Sequence, residues 1–345
     1  MLLYYLTFLL IAILSLYRND RTEKIFYIGI GLLLFLIAGF RGNIDIDYQG
    51  YVTLFNKASN LTSIRIEPTF LIISYIAKHL FNNVLFLFLI YALIGVFLNF
   101  YAIKKLTDFC LLSVLVYFSN FYLLHEMTQI RVGVASALIL LSIKPLLEKK
   151  LMPFLIIIAL AFTFHYSAIL ALPLYFLNGR KINVKLFALI IPVSYLFYFL
   201  NIHLTSLIEL IPIPEVSVKF HSYKYLASLN NAYKANVFNI LQLFRCLFAF
   251  LLLWKWEILQ QNNKYSIILI KIYIIAISIL VLLSDIPGLG ARASELLMPV
   301  EILLIPFLIY IIKQKQLATI SIIIIALTFM TVNIYYYSLV SPYFN

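Results

Sequence analysis

Residues 25–48 read IFYIGIGLLLFLIAGFRGNIDIDY: an unbroken apolar run from Ile25 to Phe40, then Arg41, Asp45 and Asp47 within seven residues. At ~1.5 Å per residue the run covers most of a ~30 Å hydrocarbon core, with thinning or snorkelling at its ends. It shows no strand alternation, and in lipid a helix satisfies its own backbone, so the run predicts a membrane-spanning helix. Charges just past such a helix are costly unless they are paired, wetted or used, which marks the Arg41–Tyr48 segment as a candidate site. The plainer reading is that Arg41 and Asp45, four residues apart, pair across a helical turn.

The rest of the chain repeats this pattern. With 345 residues, 64% hydrophobic and 12% charged, and a mean hydropathy of +1.01, a soluble domain is excluded and an all-α polytopic membrane protein is expected. The formal charge of +12 falls in short clusters between apolar runs. That is the positive-inside pattern and not a nucleic-acid-binding face. Cys110 and Cys246 lie in or beside apolar runs, so neither a disulfide framework nor a cysteine metal site is expected. Residues 2–17 lack a basic leader and a small-residue cleavage site, which predicts a retained first span.

Charge placement orders about ten full spans, near 2–17, 25–40, 84–103, 109–124, 130–147, 185–200, 237–256, 265–283, 296–312 and 317–338. Inner turns carry Arg18 to Lys24, Lys104 and Lys105, Lys144 to Lys150, Arg180 to Lys185, Glu257 to Lys264, and Lys313 to Gln316. The run 151–177 is too long for one span and short for two, and basic residues flank both its ends. It predicts a hairpin of two shortened helices with Phe164-His165-Tyr166-Ser167 at the tip, a break tolerated where it lines a cavity. Residues 1–345 then form a single integral membrane domain, with outer loops at 41–83, carrying a short interfacial helix from Pro68 to Asn82, and at 201–236. Outer turns are expected at His125–Gln129 and Ser284–Glu295.

This order brings Arg41, Asp45, Asp47, Arg65, Glu67, His125, Glu126, Arg131, His165, Arg292 and Glu295 to one face. Positive-inside bias should remove arginines from that side, so those that remain need a reason. Arg131 opens a helix, where free N–H groups and the dipole favour an anion, and its planar fork suits phosphate oxygens. Arg292 follows a Gly-Leu-Gly turn in the same way. Arg245, within Leu-Gln-Leu-Phe-Arg-Cys-Leu-Phe, has to face the bundle or a wet cleft. Against these readings stand snorkelling arginines, a hydrogen-bonded His165 at a helix break, and an ordinary solvated loop at 201–236. No metal-binding or Walker pattern is present; Asp45 and Asp47 have Asp-x-Asp spacing but fall on the outer side.

Phe40-Arg41-Gly42 with Asp47-Tyr48, Glu67-Pro68-Thr69-Phe70, Gln129-Ile130-Arg131 opening an Ala-Ser-Ala helix, Phe164-His165-Tyr166-Ser167-Ala168 and a late Ala291-Arg292 follow one another in order. Together, over about residues 38–178 and 288–300, they resemble the EpsG-like branch of the Wzy-type O-antigen and exopolysaccharide polymerases. Val132 stands where that family often has Gln, and Ser294 and Glu295 where it has aromatic residues. The resemblance implies a GT-C-like glycosyltransferase of the bacterial inner membrane, without metal or cofactor. It would move a growing glycan from undecaprenyl pyrophosphate to an incoming lipid-linked repeat unit at the periplasmic face. Arg41, Arg131 and Arg292 would clamp the pyrophosphate, with Arg245, Arg65 and Tyr48 as further substrate contacts. His165 would be the general base, ahead of Asp47 and Glu67. Implied partners are undecaprenyl-pyrophosphate-linked oligosaccharides, membrane lipid, a chain-length regulator and a flippase. A lipid-linked glycan ligase would share the donor chemistry. A polysaccharide or lipid transporter would instead show repeats and charges spread through several midplanes.

Overall fold

Apolar runs become helices here because the backbone has no other partner in lipid, and the computed structural model bears this out: among the described residues the structure is helical with no strand. It describes residues 1–16, 20–58, 66–202, 205, 217–218, 220–222, 224–225 and 236–343, and only the backbone of 20, 21 and 287. This is a multi-pass membrane protein. Among the described residues, five helices are long and apolar enough to cross a membrane singly: Thr22–Gly39, Val84–Leu106, Ile130–Leu147, Gly288–Ile311 and Lys315–Tyr336. The other expected spans are apolar helices of 10–17 residues. They include Leu2–Leu14, Cys110–Glu126, Val184–Phe199, Ile240–Trp254 and Ser266–Leu282.

The chain divides into two units, residues 1–141 with 301–345, and residues 142–300. In the first, α1 (Leu2–Leu14), α2 (Asp20–Gly39), α3 (Tyr48–Lys57), α4 (Pro68–Phe81) and α5 (Val84–Leu106) precede α6 (Cys110–Val116). α2 lies close along α5 because Gly31 and Gly39 present no side chain; a Cβ at Gly39 would come within 2.7 Å of Leu89 Cδ2. α4 opens with Pro68 at its first position and closes on Asn82 in the left-handed region, φ 48°. α6 runs on as a π-helix, Tyr117–Glu126, and α7 (Ile130–Leu147) follows. His125 and Glu126, expected in an outer turn, are instead buried in that helix at 1% exposure each. Helix Lys315–Thr331 ends in a π-helical turn, Val332–Tyr336. The tail beyond it returns to the segment after α2, where Ser341 N–H donates to Ile44 O at 2.6 Å and Asp45 forms a bridge with Val340.

In the second unit, α8 (Leu151–Phe164) stops at His165, whose backbone is extended (φ −153°, ψ 118°), and a 3-10 helix, Tyr166–Phe176, continues. The break falls at the expected hairpin tip. α9 (Val184–Phe199) and helices Ile240–Trp254, Trp256–Asn262, Ser266–Leu282 and Pro287–Leu297 complete the unit. The Gly-Leu-Gly stretch is not a turn before a helix: Pro287 starts the helix, so Gly288 to Gly290 form its first turn and Arg292 lies inside it. Most of 201–236 lies outside the described residues. Phe220 in that stretch is buried against Leu283, Ile286, Leu289 and Ala293, not solvated.

Candidate active site

In the first unit, aromatic rings gather around Arg41 and Arg131. Arg41 is 2% exposed; its Nε lies 3.1 Å from Asp45 Oδ2, its Nη1 donates to the backbone carbonyl of Glu126, and its Cζ sits 4.3 Å from the Phe88 ring centre. Tyr48 stacks on the same ring at 5.1 Å, and Tyr51 meets it edge-on at 6.3 Å. Tyr51 in turn lies 5.5 Å from Arg131 Cζ, and Phe70 lies 5.3 Å from it. Arg131 Nη1 donates to Glu67 Oε2. The fully buried Glu67 carboxylate thus holds a guanidinium whose own side chain stays 18% exposed.

Local structure explains each placement. Glu67 is the N-cap residue of α4, fixed by Pro68 behind it, and Arg131 is the second residue of α7. Asp45 Oδ1 accepts the Asp47 N–H at 3.0 Å, turning the chain into α3. Burial pushes the Asp45 carboxyl up, to about 6, against the pull of Arg41 and of that N–H. The plainer pairing of Arg41 with Asp45 is therefore present, in a turn and not in a helix. Buried ion pairs gain little net stability, whereas a guanidinium held rigidly is prepared to bind. Arg41 Nη2 and Arg131 Nε are buried donors with no hydrogen-bond acceptor among the described residues.

A second layer lies around Glu126. Its Oε1 accepts from Tyr117 O–H at 2.9 Å and from Asn99 Nδ2 at 3.2 Å. The carboxylate occupies the space where Gly95 has no side chain. Nearby in sequence, Asn120 donates to Glu301 at 3.0 Å and Asn333 donates to Asn120 Oδ1 at 3.2 Å. His125 meets Ser136 Oγ at 3.3 Å. Among the described residues no three His, Cys, Asp or Glu side chains gather as metal ligands.

Of the expected site residues, the structure brings Arg41, Tyr48, Glu67 and Arg131 into one aromatic-lined cluster. Asp47 is half-buried beside it, preceding α3. His165 (2% exposed), Arg245 and Arg292 belong to the second unit, the two arginines half-buried. Arg65 lies outside the described residues. Asn99, Tyr117, Asn120, Glu301 and Asn333 were not anticipated. Their one visible signal is polarity inside apolar runs.

The sequence matches the EpsG family over residues 24–345. The chain belongs to the EpsG family. The amylovoran biosynthesis protein AmsC of Erwinia amylovora is similar to this EpsG-family chain, 25% identical over 309 residues that cover 85% of this chain and 80% of AmsC. No solved structure matches it.

Proposed function

We propose that this protein polymerises lipid-linked polysaccharide repeat units. The observation that carries the reading is membership of the EpsG family over residues 24–345, and similarity to an amylovoran biosynthesis protein supports it. A growing glycan on a polyprenyl pyrophosphate carrier is the donor, and the sugar of an incoming lipid-linked unit is the acceptor, at the outer face. The acceptor hydroxyl oxygen bonds to the anomeric carbon, the bond from that carbon to the pyrophosphate oxygen breaks, and the hydroxyl proton passes to a base. One such displacement inverts the anomeric centre.

Arg131 is the residue best suited to the leaving pyrophosphate, being oriented by Glu67 and two rings, reachable, and left with a buried donor that meets no acceptor among the described residues. Arg41, almost wholly buried, shapes the same site through Asp45 and the Glu126 carbonyl. His165 is the proposed base because an imidazole accepts a proton near neutral pH, whereas Glu67 is committed to Arg131. Deleting the gene and running surface polysaccharide on gels tests the reading. A single repeat unit in place of a ladder supports a polymerase, and an unchanged ladder overturns it. Turnover of purified His165→Gln on lipid-linked units, normalised to folded protein, tests the base; a loss of ~10²- to 10⁴-fold is expected, and near-normal turnover passes the role to Asp47.

A further inference from the structure

Three basic turns that the charge pattern assigns to the inner side meet at one end of the second unit: Leu147–Lys150, Asn178–Lys181 and Gln260–Tyr265. They line an open cavity of about 400 Å³ whose lining includes Leu147, Tyr265, Gly179, Glu148, Arg180 and Lys264. The loop that carries Arg180 is held on every side. Asn178 Oδ1 accepts the N–H groups of Arg180 and Lys181 at 2.8 and 3.1 Å. Lys271, 4% exposed, reaches from within helix Ser266–Leu282 to donate to the carbonyls of Asn178 and Lys181, both at 2.6 Å. Gln260 Nε2 donates to the Arg180 carbonyl at 2.8 Å. Lys149 collects the carbonyls of Tyr175 and Leu177 at 2.7 and 2.8 Å. Gly179 leaves room for the Leu147 side chain, since a Cβ there would lie 2.6 Å from Leu147 Cδ1.

Two lysines are thus spent on backbone carbonyls, while Arg180 and Lys264 line the cavity from exposed positions. Glu148, the acidic member of the lining, is neutralised by Lys150 at 2.8 Å. Leu147 and Tyr265 give the cavity an apolar side. A cationic rim over an apolar wall, on the side facing anionic headgroups, fits an amphiphile better than a free ion. We propose that this cavity binds an anionic phospholipid, its phosphodiester at Arg180 and Lys264 and the first part of its acyl chains along Leu147 and Tyr265.

The inference stands apart from the polymerase reading, because its test needs no turnover. Full-length protein in neutral detergent is given phosphatidylglycerol, phosphatidylcholine or inorganic phosphate, and retained lipid is read by native mass spectrometry alongside thermal unfolding. Wild type should retain phosphatidylglycerol over phosphatidylcholine. Removing a basic contact near an anionic headgroup should cost roughly fivefold in affinity, so R180Q/K264Q should lose about 25-fold. A control pair, K181Q/K185Q, removes the same charge outside the cavity lining and should keep the preference. Equal losses in both pairs would mean diffuse attraction and overturn the site. So would a wild type with no preference, or one in which inorganic phosphate alone reproduces the shift. Retention measured on wild type keeps the test decisive should a variant fold poorly.

Discussion

Arg131 and Lys271 each carry a cation into a helical unit, yet they meet different partners. Arg131 faces the Glu67 carboxylate and the rings of Tyr51 and Phe70, and one of its buried donors has no acceptor among the described residues. Lys271 faces two backbone carbonyls at 2.6 Å and the ring of Phe187 at 5.0 Å. A planar guanidinium locked by a carboxylate keeps donors in reserve for a ligand. An ammonium that spends its donors on carbonyls fastens a loop. The contrast separates residues that bind from residues that hold, although both are cations in apolar surroundings.

The largest effect should come from the arginine side. Arg131→Ala and Arg131→Lys should each abolish polymer on surface-polysaccharide gels, Lys failing because a point charge does not replace the fork. Glu67→Ala leaves Arg131 uncompensated, and breaking a buried pair in this way costs about 3–5 kcal/mol, so protein amount should fall as well. A wild-type ladder from Arg131→Lys at normal protein level would show that the fork is dispensable and erase the contrast with Lys271.

Asp45 gives the next test. Its folded pKa is raised from 3.8 to about 6, so its contribution is fully present below the unfolded value and is lost as pH rises through the folded one. The stability difference between wild type and Asp45→Asn should therefore move against wild type from about pH 4 to pH 6, by on the order of 3 kcal/mol in total. Thermal unfolding in detergent across that range measures it. A pH-independent difference would mean that Asp45 is wetter than its contacts with Arg41 and Val340 imply.

Lys271→Met should cost about 1–3 kcal/mol, because the carbonyls of Asn178 and Lys181 lose their donor. New protease cleavage within 178–181 should accompany the loss, while the polymer made per folded molecule stays unchanged. Loss of polymer without loss of fold would place Lys271 among the binding residues and break the division drawn here.

How much of this was legible in sequence depends on range. The helices, the basic turns between them and the hairpin tip at His165 follow from local pattern and charge, and Arg131 at the head of α7 follows from one residue type in one position. Arg292 lies inside a helix and not in the turn that the sequence predicts, because Pro287 fits the first turn of a helix as well as a loop. The pairings of Asn120 with Glu301 and Asn333 are not legible in the sequence, since Asn120 and Glu301 lie 181 residues apart and Asn333 and Asn120 lie 213 apart. The role of Lys271 is not legible either, because a lysine in an apolar run does not announce which carbonyls it will meet.

The smallest effect tests whether the lysine end is held by backbone shape as well as by its ammonium groups. Lys149 has φ 56°, the left-handed region, while its Nζ binds the carbonyls of Tyr175 and Leu177. Lys149→Gly and Lys149→Ala delete the same ammonium, so any difference between them reports the backbone. A left-handed conformation costs an L-residue roughly 1–2 kcal/mol, and glycine's extra freedom when unfolded offsets about 0.4–1 kcal/mol of that advantage. Glycine should therefore be the more stable variant by about 0.5–1 kcal/mol, or roughly 1 °C in Tm for a chain of this size. If alanine matches or exceeds glycine, the left-handed turn is not what fixes Lys149, and its hold on the 175–177 carbonyls rests on the ammonium alone.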